Sequence, residues 1–224
     1  MKQQKNALLI AVLLLTMSAG LITTKKKVVF FGDSITQMGV NTGGYICRLD
    51  SLLKTKGQGT NFDLIGAGIG GNKVYDLYLR MDDDVLAQNP DVVVIWLGVN
   101  DVWHKVWGTG TDADKFEAFY KAIIKKLQAR NIKVVLCTPA VIGEKTDFTN
   151  QMDGDLNKYS QTIRDLAKTY NLPVCDLRKT FLEYNKLNNP ENKESGILTT
   201  DKVHLTNKGN ELVAEEMLKV LAKF

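Results

Sequence analysis

Cysteine, histidine and proline are all scarce in this chain of 224 residues, which carries three, two and four of them. Cys47, Cys137 and Cys175 are an odd number of widely spaced thiols, each in an apolar segment, so they form no disulfide framework. They are expected to be buried small hydrophobes, with a Cys137–Cys175 bridge left open should the chain meet an oxidising compartment. His104 and His204 show neither the i, i+4 spacing nor the cysteine pair of a zinc site, so no metal and no other cofactor is expected. The few prolines, and the lack of any repeat or low-complexity tract, exclude a solenoid and an extended linker. Charge of one sign is missing too. The formal net charge of +4 falls to +2 once Lys2 and Lys5 are set aside, too little for a nucleic-acid footprint. No polybasic run exceeds Lys25-Lys26-Lys27, so neither a membrane-surface patch nor a phosphate-tracking groove is indicated. A small, neutral or weakly polar substrate fits better.

The composition, 44% hydrophobic and 24% charged, is ordinary for one globular domain with its own core. Residues 1–20 read as an export signal peptide: Lys2 and Lys5 give a positive start, Ala7 to Leu15 an apolar stretch, and Ser18-Ala19-Gly20 a small-residue cleavage region. The apolar run is short for the ~20 residues that span a bilayer. No cysteine follows it, so lipoprotein processing is not expected. The mature protein is therefore expected to be periplasmic or extracellular, without a stable membrane span. Residues 26–224 are expected to form a single domain.

From Lys26 onward, short β-branched runs alternate with amphipathic stretches, the signature of a parallel sheet wrapped by helices. Five strands are expected, at Val28–Phe31, Phe62–Gly66, Val92–Leu97, Lys133–Cys137 and Pro173–Leu177, each nearly continuously apolar as befits a strand buried on both faces. Between the third and fourth, Phe116, Phe119, Tyr120, Ile123, Ile124 and Leu127 follow the spacing of a helix with one buried face, with Asp112 at its cap. A last helix from about Thr206 places Val213, Met217, Val220 and Leu221 on one stripe, and Thr206 or Asn207 can cap it. The whole is expected to be a three-layer α/β/α unit, whose ligands bind beyond the carboxyl ends of the strands.

At those ends stand Gly32-Asp33-Ser34, then Gly66-Ala67-Gly68-Ile69-Gly70-Gly71-Asn72, then Gly98-Val99-Asn100-Asp101, and Asp201-Lys202-Val203-His204 precedes the final helix. A serine hydroxyl needs a base within hydrogen-bond reach to become a nucleophile near neutral pH. The imidazole of His204 is suited to that task, and Asp201, three residues earlier, can fix its tautomer and stabilise the imidazolium. In order and approximate spacing, Gly32-Asp33-Ser34, Gly70-Gly71, Gly98-x-Asn100-Asp101 and Asp201-x-x-His204 resemble the four blocks of the SGNH (GDSL-type) hydrolases, across nearly all of the mature chain. The one minor departure is Ile35, where GDSL-type enzymes often have leucine.

The resemblance implies a serine esterase or acylhydrolase with the flavodoxin-like strand order 2-1-3-4-5. It implies Ser34 as nucleophile, His204 as base and Asp201 as the acid that orients it. The implied oxyanion hole comprises the Ser34 amide, the Gly71 amide and the Asn100 side-chain amide, where losing one donor costs roughly 3 kcal/mol. Gly70 and Gly71 cannot be separated on sequence grounds. Asp33 is expected to hold the nucleophile turn and Asp101 to brace the Asn100 loop.

Rival readings are weaker. Gly66-x-Gly68-x-x-Gly71 formally matches a dinucleotide fingerprint, but it follows the second strand and no acidic residue falls at the end of the next strand at the right distance. The Gly-x-Ser-x-Gly elbow of α/β-hydrolase lipases is absent. Trp103, His104 and Trp107 follow the Asn100 turn and offer flat surfaces for a sugar ring or an acyl chain; packing of the loop explains them equally well. The favoured substrates are short acyl esters, an acetylated carbohydrate first. Long-chain lysophospholipids or thioesters are the alternative, as is a catalytically silent carbohydrate-binding protein on the same fold. Oligomeric state is not readable.

Overall fold

The computed structural model describes residues 25–224, and the expected leader, residues 1–20, lies outside them. Five parallel strands form one sheet in the order β2-β1-β3-β4-β5: β1 Lys26–Gly32, β2 Phe62–Gly68, β3 Val92–Trp96, β4 Lys133–Cys137 and β5 Val174–Cys175. The expected flavodoxin-like order is thus the observed one. Continuous burial explains the continuous hydrophobicity: Val28, Val29, Phe30 and Phe31 in β1, and Val92 to Trp96 in β3, are successive residues that all lie inside. Each such side chain contributes about 1.5–3 kcal/mol of burial free energy.

The helices are α1 Ser34–Gly39, α2 Tyr45–Thr55, α3 Val74–Asp84, α4 Val99–Trp103, α5 Ala113–Gln128, α6 Asp153–Tyr170, α7 Leu177–Asn188 and α8 Asn207–Leu221. Helices α2 and α8 pack side by side, whereas α3, α5 and α6 neighbour one another in sequence order. Right-handed crossovers between parallel strands place these two groups on opposite faces, which gives the three layers. Tyr45 couples the α2 face to the nucleophile turn. Its ring lies edge-on to Phe30 and Trp96, and its hydroxyl bonds Thr36 of α1 at 3.1 Å.

Three local expectations need correction. The fifth strand was expected to run to Leu177, but it ends at Cys175, because Asp176 turns the chain out of the sheet and caps α7. Its carboxylate is gripped by Arg164 at 2.8 and 2.9 Å and by the Thr138 hydroxyl at 3.0 Å. Asp112 does occupy the N-cap position of α5, yet its side chain takes the Lys115 ammonium instead of a backbone amide. Phe119 is only partly buried, against Tyr75 and Tyr78. At α8 it is Thr206 that caps, its hydroxyl accepting from the Gly209 amide at 3.1 Å. Cys137 and Cys175 are register partners on β4 and β5, both buried and both free thiols.

The register aligns the carboxyl ends that matter. Gly32 is paired with Gly68 on one side and with Trp96 on the other. The turns carrying Ser34, Gly70-Gly71 and Asn100 therefore leave the sheet side by side at one edge.

Candidate active site

Ser34 is the first residue of α1. Asp33 is its N-cap, and its carboxylate accepts from the Ile35 amide at 2.9 Å, which closes the turn beneath the serine. Burial pushes the Asp33 carboxyl up to about 7, against the pull of that amide. The end of β2 runs hard against this turn: a Cβ on Gly68 would lie 2.1 Å from the Gln37 nitrogen and 2.7 Å from the Asp33 carbonyl oxygen, so only glycine fits there.

His204 reaches the serine from 170 positions away, its Nε2 lying 2.9 Å from Ser34 Oγ. The other ring nitrogen, Nδ1, lies 2.6 Å from Asp201 Oδ2, while Asp201 Oδ1 accepts from the amides of Val203 at 3.1 Å and His204 at 2.8 Å. Partial burial pushes the Asp201 carboxyl up, but the His204 ring and these two amides outweigh it and hold the group below the usual carboxylate range. An ionised Asp201 accepts the Nδ1 proton, which leaves Nε2 as an acceptor for the serine hydroxyl. The turn joining the pair passes through Lys202 at φ +83°, a left-handed conformation uncommon outside glycine.

Asn100 is buried in α4, and its side-chain NH2 donates to the Asn72 carbonyl at 3.1 Å, leaving a second N–H. The Gly70 amide donates to Gln37 Oε1 at 2.9 Å. The Gly71 amide, at φ +75°, and the Ser34 amide have no acceptor among the described residues. Asp101 accepts from the Val74 amide at 3.1 Å, and its carbonyl accepts from the Thr111 amide at 3.0 Å. It thereby ties the start of α3 to α4 as well as bracing the Asn100 loop. Burial pushes its carboxyl up to about 6.

Trp103, His104 and Trp107 form one aromatic cluster, with ring centroids 5.0 to 5.8 Å apart. His104 Cε1 lies 4.0 Å from where a Cβ on Gly71 would stand, so the cluster borders the block-two turn. Burial, with Lys73 nearby, lowers the His104 pKa.

Glu144, on the loop after β4, supports the site without any signal in the sequence. Glu144 is fully buried, and its carboxylate accepts from the amides of Ile197, Leu198 and Thr199. It anchors the segment that leads into Asp201. A single glutamate in a loop after β4 gives no sequence signal, because its partners lie more than fifty positions away.

A hydroxyl, an imidazole and a carboxylate in relay at the carboxyl edge of a parallel sheet have the geometry of a serine-type hydrolase site. Among the described residues no group of three or more histidine, cysteine or carboxylate side chains could hold a metal ion. The comparisons agree with that class. The GDSL-like lipase/acylhydrolase family matches residues 30–212, and the chain belongs to this family and is a carboxylic ester hydrolase. It is 65% identical to an acetyl xylan esterase of known structure, AlAXEase, with a TM-score of 0.84 over 86% of this chain and 98% of that one. It is 27% identical over 215 residues to the acetylxylan esterase of Geobacillus stearothermophilus, covering 88% of this chain and 94% of the relative. A lipoprotein of Bacillus subtilis, YqeF, is 29% identical over 74% of this chain and 75% of its own length.

Proposed function

We propose that this chain is an exported esterase that removes acetyl groups from carbohydrate through an acyl-enzyme on Ser34. The observation that carries the reading is the pair of contacts at His204, 2.9 Å to Ser34 Oγ and 2.6 Å to Asp201. Ser34 Oγ attacks the acetyl carbonyl while its proton passes to His204 Nε2, and the imidazolium so formed is stabilised by Asp201. Negative charge grows on the former carbonyl oxygen, where the amides of Ser34 and Gly71 and the free N–H of Asn100 donate to it. Collapse breaks the bond to the sugar oxygen, which takes the proton back from His204. Water then repeats the sequence on the acetyl-serine, releasing acetate and restoring the hydroxyl.

The Gly70 amide is engaged by Gln37, which supports Gly71 as the second donor. The similarity to two acetyl xylan esterases supports acetyl as the acyl group and a sugar as the alcohol. The cluster of Trp103, His104 and Trp107 beside Gly71 suits that alcohol, since aromatic faces stack on sugar rings and a neutral His104 exchanges hydrogen bonds with hydroxyls. Export is supported by the charged and then apolar start of the chain; among the described residues no helix is long and apolar enough to cross a membrane.

The test is hydrolysis of p-nitrophenyl esters from acetate to palmitate, and of acetylated xylo-oligosaccharides, by wild type and Ser34→Ala, with and without chelator. Ser34-dependent, chelator-insensitive activity that falls with chain length is expected. Faster turnover of long chains would move the reading to a lysophospholipase or thioesterase, and no turnover of any ester would leave a carbohydrate-binding protein.

A further inference from the structure

We propose that Arg80 is the positioning residue that holds the three oxyanion donors in register. The proposal rests on the reading of Ser34, Gly71 and Asn100 as those donors. They sit on three separate turns, and nothing covalent fixes one against another, while stabilising an oxyanion demands donors placed to within about half an ångström.

Arg80 lies on α3, and its guanidinium bonds two of these turns directly and reaches the third through Asn72. One terminal nitrogen donates to the Gly32 carbonyl at 2.8 Å and to the Ala67 carbonyl at 3.0 Å. These are the end of β1, two residues before Ser34, and the end of β2, four residues before Gly71. Nε donates to Asn72 Oδ1 at 2.6 Å, and the Asn72 backbone carbonyl is the acceptor of the Asn100 side-chain amide. A single planar group thus reaches the Ser34 turn directly, the Gly71 turn at both ends, and Asn100 through Asn72.

The group is itself fixed from two sides. The remaining terminal nitrogen pairs with Asp84 at 2.7 Å, and the guanidinium carbon stands 4.6 Å from the centre of the Phe31 ring. Its side chain is 14% exposed, so water competes weakly for these bonds. An arginine serving only the helix surface would need Asp84 alone, one turn away. The Gly32 carbonyl already accepts from the Ile69 amide at 3.2 Å, and Arg80 adds a second donor there and another at Ala67, so that its bonds clamp the two strand ends together. Lysine cannot substitute, because a point charge with three rotatable donors does not span acceptors on three segments in one plane.

The experiment compares wild type, Arg80→Lys, Asn72→Ala and Asn100→Ala on p-nitrophenyl acetate, each assayed well below its own melting temperature. Arg80→Lys is expected to lower kcat by about tenfold to a hundredfold with KM within about twofold, the size of loss that an ångström of misplacement produces. Asn72→Ala, which leaves the guanidinium in place, is expected to lose about fivefold, and it carries the test should Arg80→Lys not fold. In the double variant Arg80→Lys/Asn100→Ala the losses are expected to be less than multiplicative, which a general loss of stability would not produce. A normal kcat in Arg80→Lys, or in Asn72→Ala where Arg80→Lys does not fold, beside a crippled Asn100→Ala overturns the role of Arg80 and leaves the oxyanion reading standing. A normal kcat in Asn100→Ala overturns that reading, and the role of Arg80 with it.

Discussion

The Gly143 amide donates to the Lys202 carbonyl at 2.8 Å, joining the loop after β4 to the middle of the turn between Asp201 and His204. One residue on, the Glu144 amide donates to the Glu194 carbonyl while its carboxylate collects three further amides, of Ile197, Leu198 and Thr199. The turn carrying Lys202 at φ +83° is therefore held from outside by the Gly143 amide, and the segment that leads into it by the buried Glu144 carboxylate, in addition to its own bonds to Asp201.

Glu144→Gln keeps the shape but turns an N–H donor toward backbone donors. About 2–4 kcal/mol of stability should be lost, as for other groups left buried without partners. Urea denaturation measures the loss, and limited proteolysis should cut first between residues 194 and 204. Unchanged stability and unchanged cleavage would mean that the turn holds itself.

Asp201→Asn separates orientation from attack. With asparagine the ring loses the acceptor that fixes its tautomer, and kcat should fall by about four orders of magnitude. Ser34→Ala should fall at least as far, both variants melting within a few degrees of wild type. An Asp201→Asn enzyme with a tenth of normal activity would show that another group orients the imidazole.

Asp101 predicts a pH dependence of stability. Its carboxyl titrates near 3.8 when exposed and is pushed by burial to about 6 in the fold. Between those values the folded state binds more protons than the unfolded one, so this group's contribution to stability declines as pH rises from about 4 to 6 and stays lost above. Asp101→Asn retains an oxygen for the Val74 amide and has no charge to bury. Its melting temperature relative to wild type should rise from pH 4 to pH 8, and a difference that stays flat or falls would refute the buried charge.

The centre of the sheet was legible because β1 and β3 are buried on both faces, so Val28–Phe31 and Val92–Trp96 appear as unbroken apolar runs, whereas the edge strand β2 is largely half-buried or exposed. The strand order was not contained in those runs; it followed from the resemblance. Ser34, Asn100, Asp201 and His204 could be singled out because they fall in short blocks whose order and spacing resemble those of the SGNH hydrolases. Arg80 and Glu144 could not. On sequence alone, an arginine on an amphipathic helix and a glutamate in a loop resemble solvated charges, and their acceptors and donors, Gly32 and Ile197 to Thr199, become neighbours only through the fold. The cap at Asp112 failed for a related reason: Lys115, one turn into the helix, competes for the carboxylate.

Trp107 separates a sugar platform from loop packing. Its side chain is largely exposed, 61% by area, while the His104 ring stands 5.0 Å away and borders Gly71. An exposed indole adds little to the fold, so Trp107→Ala should melt near wild type. A sugar ring stacked on it would lose about 1 kcal/mol, hence about a fivefold rise in KM for acetylated xylo-oligosaccharides. The proposed mechanism puts the acetyl group on the Ser34 side, so kcat and KM for p-nitrophenyl acetate should be unaffected. Equal loss on both esters would place the indole against the acyl group, and no loss on either would reduce the cluster to packing of its own loop.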